Sequence, residues 1–187
     1  MNPKEAMLDL LTALKAVYLS HWAAHWRVKG TTSYGDHLLF ERLYTAMPEQ
    51  IDTLAEKIVA MHGPEALVDG EDTAAVAESL KVFDSEPNLY KRALMLEDSL
   101  QNLIQSVMSD LEDAEELTPG LDDYLAALAN SHETHQYLLS YPPHIPTPIL
   151  GQPCFRLLQP QWRAWCLAWR CAFVESSDRR VSVMHLE

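Results

Sequence analysis

The sequence predicts an all-α fold, a four-helix bundle with one long connection between its second and third helices. Two observations indicate this architecture. Apolar residues recur every three or four positions over long stretches, and breaker residues divide these stretches into two long helices, a short one and two more long ones. No stretch shows sustained alternation of apolar and polar residues, so we expect no sheet. The chain of 187 residues has about the length of one domain.

The first half of the bundle comes from two helices that end at glycine. Helix A is expected over residues 4–29, before Gly30 and the capping residues that follow it. One face of helix A carries Met7, Leu10, Leu11, Leu14, Val17, Tyr18, His21 and His25. Helix B is expected over residues 34–62 and ends at Gly63-Pro64. Pro48 lies inside helix B, where it removes a backbone donor and is expected to kink the helix.

The second half follows a short crossover helix, expected over residues 73–82, and a turn over residues 84–88. Helix C is expected over residues 89–116 and helix D over residues 121–140, with Thr118-Pro119-Gly120 ending helix C. The apolar stripe of helix C consists of Leu94, Leu96, Leu100, Leu103, Ile104, Val107 and Leu111. We therefore assign residues 1–141 to the bundle.

Residues 142–187 are expected to form a separate C-terminal extension. It opens with the proline-rich stretch PPHIPTPILGQP, which is typical of an extended linker. Beyond the linker, aromatic residues recur at helical spacing and arginine outnumbers the acidic residues, whereas the chain as a whole is acidic. We expect this tail to pack on its own subunit or on a neighbour, and docking of another protein is the alternative.

The charge and cysteine content restrict the function and the compartment. The chain has 27 acidic and 14 basic residues, a formal net charge of −13, which argues against a phosphate-binding surface and suits a protein that attracts cations. The three cysteines all lie in the tail, so they do not form a disulfide framework. The N-terminus lacks the apolar core of a signal peptide, and no stretch approaches the length of a membrane span. We expect a cytoplasmic protein with no membrane partner.

Metal-competent side chains follow one stripe of helix B. At about 100° per residue, Glu41, Asp52 and Glu56 lie within about 100° of His37 around the helix axis. His25 lies on the neighbouring helix A. Imidazoles and carboxylates together suit iron, manganese or zinc. A surface alternative remains open, in which Asp52 and Glu56 pair with Lys57 or Arg42 and contribute little.

Spacing decides how this stripe could bind a metal. The His37–Glu41 pair and the Asp52–Glu56 pair are centred about fifteen residues, or about 22 Å, apart along the helix, which is too far for one site. If two copies of helix B pack antiparallel about a two-fold axis, the histidine half of one copy faces the acidic half of the other. This operation gives two equivalent sites per dimer.

The stretch HWRVKGTTSYGDHLLFERLYTAMPEQIDTLAEKI resembles the signature of the Dps family, the mini-ferritins. The matching positions are His25-Trp26, His37, Glu41, Asp52 and Glu56, at the family spacing and without a gap. The resemblance extends over residues 5–141 and implies a ferritin-like bundle in which residues 73–82 form the crossover helix.

The same resemblance implies a hollow dodecamer with iron at its two-fold interfaces. Iron(II) bound there would be oxidised, preferentially by hydrogen peroxide, and the ferric product stored in the cavity. His25, His37, Glu41, Asp52 and Glu56 would be the metal ligands. Trp26, beside a ligand, would intercept stray oxidising equivalents.

Three features depart from the family pattern. Pro48 lies close to the proposed two-fold axis and could shift the two half-sites. Glu41 stands where many relatives have aspartate, which lengthens one ligand by a methylene. The N-terminus has Lys4 as its only basic side chain before Lys15, so we expect no DNA binding by that route.

Two other functions remain open. The chain could be a structural or interaction protein on the Dps scaffold, in which metals only stabilise the dimer. It could also be a histidine-rich metal hydrolase with its ligands in one subunit, although the spacing along helix B argues against this. Among the remaining histidines, His21 is expected to pack or to support the site, and His132 and His135, with Glu133, are expected to face solvent or lie at a helix end.

Overall fold

The computed structural model describes residues 2–141, so the predictions for the C-terminal extension lie outside the described residues. Within this range the chain forms helices and no strand, which confirms the all-α prediction. The helices are α1 (Pro3–Arg27), α2 (Ser33–Thr45), α3 (Met47–His62), α4 (Asp69–Phe83), α5 (Leu89–Asp113) and α6 (Pro119–Ser140), with one turn of 3-10 helix at Pro64–Ala66. The bundle consists of α1, the α2–α3 pair, α5 and α6, and α4 is the crossover helix.

Helix B is two helices, so the prediction of one continuous helix over residues 34–62 was wrong. Pro48 has no amide hydrogen for the carbonyl of Tyr44, and its ring crowds that carbonyl. The Tyr44 carbonyl instead accepts a hydrogen bond from the Ala46 amide, and α2 ends at Thr45, the residue before Ala46. Ala46 keeps nearly helical angles, φ −82° and ψ −17°, so α3 starts at once.

The boundaries of the other helices also differ from the predicted ones, and local hydrogen bonds explain the differences in α5 and α6. Thr118-Pro119-Gly120 begins α6 rather than only ending helix C, because the Thr118 side chain accepts a hydrogen bond from the Leu121 amide and proline suits the first helical position. Helix α5 ends at Asp113, and the amides of Glu116 and Leu117 then bond to the Leu111 carbonyl. The crossover helix α4 is longer at both ends than expected.

Two apolar clusters fill the bundle, and a buried polar layer lies between them along α1 and α6. The larger cluster takes its α1 residues from positions 6–17 and its α6 residues from positions 121–128. The smaller cluster contains Ala24, Phe40, Leu43, Ala93 and Leu139. The polar layer consists of His21, Glu97, His132 and His135, all of them buried. None of the helices within residues 2–141 has the length and apolar character needed to cross a membrane.

Candidate metal sites

His25 on α1 and His37 on α2 form a stacked pair. Their ring centroids lie 3.6 Å apart, and the planes differ by 27°. His25 Nδ1–H donates to the His37 carbonyl and His37 Nδ1–H donates to the His25 carbonyl, each at 3.0 Å. A carbonyl can only accept, so both Nδ1 atoms carry the proton. Neither Nε2 atom has a hydrogen-bond partner among residues 2–141, and each therefore presents a lone pair for a metal ion.

A series of aromatic rings in contact leads away from this histidine pair. The ring of Tyr44 lies 5.3 Å from that of His25, and Trp22 lies 6.4 Å from Tyr44. Trp26 packs on Trp22 at 4.8 Å and is 62% exposed. Tyr18 stacks on the other side of Trp22 at 5.6 Å. A continuous set of oxidisable rings therefore runs from His25 to the surface.

The three predicted acidic ligands are exposed side chains on the α2–α3 pair. Glu41 lies on α2, one turn after His37, and Asp52 and Glu56 lie on α3. None of the three carboxylates pairs with another described residue. Lys57, one of the cations in the surface alternative, donates instead to the Gly120 carbonyl at 3.0 Å. Within residues 2–141 of a single chain, no three of the five predicted ligands converge on one point.

A second set of metal-competent side chains lies in the polar layer. The carboxylate of Glu97 on α5 accepts hydrogen bonds from His21 Nε2 at 2.7 Å, His132 Nδ1 at 2.6 Å and His135 Nδ1 at 3.0 Å. Burial acts to raise the pKa of Glu97, but the hydrogen bonds from the three imidazoles outweigh it and hold this pKa well below its usual range. Glu97 is therefore an ionised carboxylate in the bundle core.

The sequence of the chain is similar to that of two bacterial proteins. General stress protein 20U of Bacillus subtilis (strain 168) is 32% identical over 127 residues, which cover 62% of this chain and 79% of that protein. DNA protection during starvation protein 2 of Bacillus anthracis is 28% identical over 88 residues, which cover 47% of this chain and 51% of that protein. The chain belongs to the Dps family. No protein-family model matches the sequence.

Solved Dps structures share the fold of this Dps-family chain. DpsC from Streptomyces coelicolor superposes with a TM-score of 0.62 at 19% identity, and covers 74% of this chain and 81% of its own. Dps from Thermosynechococcus elongatus gives a TM-score of 0.58 at 23% identity, with 74% and 90% covered. Dps from Vibrio cholerae O1, described as a ferritin-like diiron-carboxylate protein, gives 0.61 at 16% identity, with 74% and 86% covered. The ferritin-like four-helix bundle with a crossover helix is thereby confirmed.

The polar layer of this Dps-family protein corrects one prediction. His132 and His135 were expected at the surface or at a helix end, and both are buried in mid-helix, whereas Glu133 is exposed as expected. The signal was present in the spacing, because the buried positions of α6 alternate in steps of four and three: Leu121, Leu125, Leu128, His132, His135 and Leu139. Glu97 likewise lies on the apolar stripe of α5, but the sequence patterns did not lead us to predict that it is buried.

Proposed function

We propose that this Dps-family protein oxidises iron(II) at sites shared between two copies of the chain and stores the ferric product in a dodecameric shell. Hydrogen peroxide is the proposed oxidant. Two iron(II) ions each give one electron to one peroxide, whose O–O bond breaks, and its oxygens end in the ferric oxide-hydroxide with release of protons. Iron is thus the substrate and the stored cargo.

The stacked pair of His25 and His37 is the main observation that supports the proposal. In metal sites the second nitrogen of a ligating imidazole is usually held by a carbonyl or carboxylate, which fixes the ring and raises its basicity. Here each Nδ1–H is held by the backbone carbonyl of the other histidine, 3.0 Å away. The two rings are therefore oriented in advance of metal binding, with both Nε2 lone pairs free.

The acidic ligands support a shared site because none of them pairs with another residue in the described part of the chain. Exposed carboxylates without a cationic partner are available to iron, and carboxylate oxygen stabilises iron(III) more than iron(II). A two-fold axis near the α2–α3 junction would bring Asp52 and Glu56 of one copy to His25, His37 and Glu41 of the other.

The surface around the histidine pair is suited to contact between copies. Trp22 and Trp26 on α1 and Leu38, next to His37, are large apolar side chains that remain exposed in one chain. Such groups are typical of interfaces. Trp26 has a second proposed role, since the ring contacts through Trp22 and Tyr44 let it give an electron to an oxidant formed beside His25.

The proposal is tested by following ferric formation after iron(II) and hydrogen peroxide are mixed. His25→Ala/Asp52→Ala removes a ligand from each half, so we expect oxidation at least about 10-fold slower than in the wild type. Glu49→Ala removes an exposed carboxylate from the same helix as Asp52 and serves as the control, with an unchanged rate expected. Equal rates in the double variant and the wild type would refute the assigned ligands.

The break between α2 and α3 favours a second candidate, a structural or interaction protein whose metals only stabilise the dimer. The break lies beside the proposed two-fold axis, where a small change of direction separates the two half-sites. Under this alternative, iron(II) raises the stability of the dimer, while the rate of ferric formation in wild type does not exceed that of His25→Ala/Asp52→Ala. The same measurement therefore separates the two functions.

A further inference from the structure

The polar layer places four ionisable side chains inside the bundle. One carboxylate and three imidazoles from α1, α5 and α6 meet between two apolar clusters, at positions that the helical spacing would otherwise give to aliphatic residues. Buried ionic groups generally stabilise a protein less than well-packed apolar residues of the same volume do. A metal ion that binds to these donors would offset part of this cost.

His132 has an acceptor at each of its two ring nitrogens, and either a second proton or a metal ion satisfies both. His132 Nε2 faces the Gln50 side-chain oxygen at 3.3 Å, while its Nδ1 faces the Glu97 carboxylate at 2.6 Å. A neutral imidazole has one N–H for these two acceptors. A second proton, which makes an imidazolium, satisfies both acceptors. A metal ion on Nδ1 does so as well, because the neutral ring then keeps its N–H on Nε2 for Gln50.

His21 offers the layer one of its two ring nitrogens. His21 is fully buried, and its Nδ1 has no hydrogen-bond partner among the described residues. The Nε2 atom lies 2.7 Å from the Glu97 carboxylate and is therefore the nitrogen that can bind a metal in the layer.

We propose that His21, Glu97, His132 and His135 bind one divalent transition metal ion inside each bundle, separately from the sites shared between copies. The ligand atoms are His21 Nε2, His132 Nδ1, His135 Nδ1 and a carboxylate oxygen of Glu97. One such atom from each of Glu97, His132 and His135 lies within 4.8 Å of the others. On a tetrahedral ion with bonds of about 2.0–2.1 Å, the donors lie about 3.3 Å apart, so these three side chains need to close by about 1.5 Å at most. His21 lies outside that group and is linked to it by its Nε2 atom, 2.7 Å from Glu97 Oε1.

The donor set and its burial define the kind of metal site. Three imidazole nitrogens and one carboxylate oxygen fill a tetrahedral shell, for which zinc is the best match. All four side chains are buried, so no position is left for water and the site is structural rather than catalytic. Metal binding shifts the ring protons to the outer nitrogens, and the proton on His132 Nε2 then donates to Gln50. Any second proton on a ring is released to solvent.

An entry route adjoins the layer between α3 and α6. A surface cavity of about 260 Å³ is lined by Ala46, Glu49, Gln50, Thr53, Tyr124, Ala127 and Leu128. The side chain of Gln50 lies between this cavity and His132, and it also donates to Ser131 Oγ at 3.2 Å. Rotation of this one amide is the proposed step by which an ion passes from the cavity to His132.

The test uses the full chain carrying His25→Ala/Asp52→Ala, so that each shared site lacks two of its five ligands. After removal of metals by a chelator, zinc is added, and bound zinc and the melting temperature are measured. We expect a rise in melting temperature of about 5–10 °C at a hundredfold excess over the dissociation constant. Failure of this folded parent to gain any stability with zinc would overturn the proposal, and it would leave iron oxidation at the shared sites untouched.

A matched pair of variants assigns the bound ion to the layer. In the same background, Glu97→Gln is expected to bind one zinc equivalent per chain fewer than the parent, and to show a much smaller thermal shift. Glu133→Gln makes the same chemical change at an exposed position beside His132 and is expected to behave like the parent. His135→Gln, at the edge of the layer, replaces Glu97→Gln if that variant does not fold. Equal zinc content in the core variant and in Glu133→Gln would refute the assignment.

Discussion

At the scale of single residues, a buried carboxylate fixes α2 where it presents His37. Asp36 accepts a hydrogen bond from Thr32 Oγ1 at 2.9 Å and another from the Tyr90 hydroxyl at 2.5 Å. Tyr90 lies on α5, so the second bond ties the start of α2 to the opposite side of the bundle. Burial and the neighbouring Asp36 carboxylate raise the pKa of Tyr90 above its usual range.

We expect Tyr90→Phe to lower the free energy of unfolding by about 1–3 kcal/mol, because it leaves Asp36 buried with one donor fewer. A raised pKa means that the unfolded chain loses the tyrosine proton first. The advantage of the wild type is therefore present below pH of about 10 and shrinks as the pH rises further. Urea unfolding at several pH values measures both effects. Tyr34→Phe, which changes an exposed tyrosine, is the control, and equal midpoints for Tyr90→Phe and Tyr34→Phe at neutral pH would contradict the prediction.

At the scale of helices, two prolines show how position decides the effect of one residue type. Pro119 occupies the first turn of α6 behind the Thr118 cap, where the missing amide hydrogen costs nothing. Pro48 lies in the first turn of α3, but α3 directly continues α2, so the missing hydrogen bond interrupts what would otherwise be one long helix.

We expect Pro48→Ala to stabilise the protein by about 1 kcal/mol, because it restores the hydrogen bond to Tyr44 and joins α2 to α3. The gain is smaller than the roughly 3 kcal/mol that separates proline from alanine inside a helix, because the existing break already relieves part of the strain. Pro119→Ala is expected to destabilise by about 0.5 kcal/mol. Chemical denaturation of both variants is the measurement, and a change of the same sign in the two would contradict the argument.

At the scale of the whole molecule, the shared-site hypothesis implies that one chain alone does not contain a complete metal site. The described part of a single chain brings His25 and His37 together but does not bring three of the five predicted ligands to one point. An isologous contact supplies the missing acids twice, once for each copy. The proposed assembly contains twelve chains of 21.2 kDa.

Mixing two inactive variants tests this sharing directly. His25→Ala/His37→Ala lacks the histidine half, and Asp52→Ala/Glu56→Ala lacks the acidic half, so each alone is expected to be inactive. After joint reassembly at equal amounts, half of the dimers are hybrids and each hybrid has one intact site of two, so roughly a quarter of the wild-type activity should return. Both variants are expected to keep the mass of the wild-type assembly. No recovery in a mixture of that mass would place the site within one chain.

The sequence alone determined the helices and their order, and it placed His25 and His37 in the same proposed site. Those features depend on residues close in the chain, namely an apolar repeat, a glycine or proline at each boundary and a short loop between α1 and α2. The break at Ala46 was foreseen only as a kink at Pro48, because the sequence shows the missing donor but not how the freed carbonyl finds another. The sharing of sites between copies was likewise inferred from spacing and stays a prediction.

Only the tertiary structure decided that Glu97 is a buried ionised residue. Its partners lie 76, 35 and 38 residues away on two other helices, and no local pattern shows that His21, His132 and His135 meet there. A lone carboxylate on an apolar stripe has a high desolvation cost, and so it is expected at the surface. Three imidazole donors reverse that balance, and only the packing of the helices brings them within hydrogen-bond distance of the carboxylate.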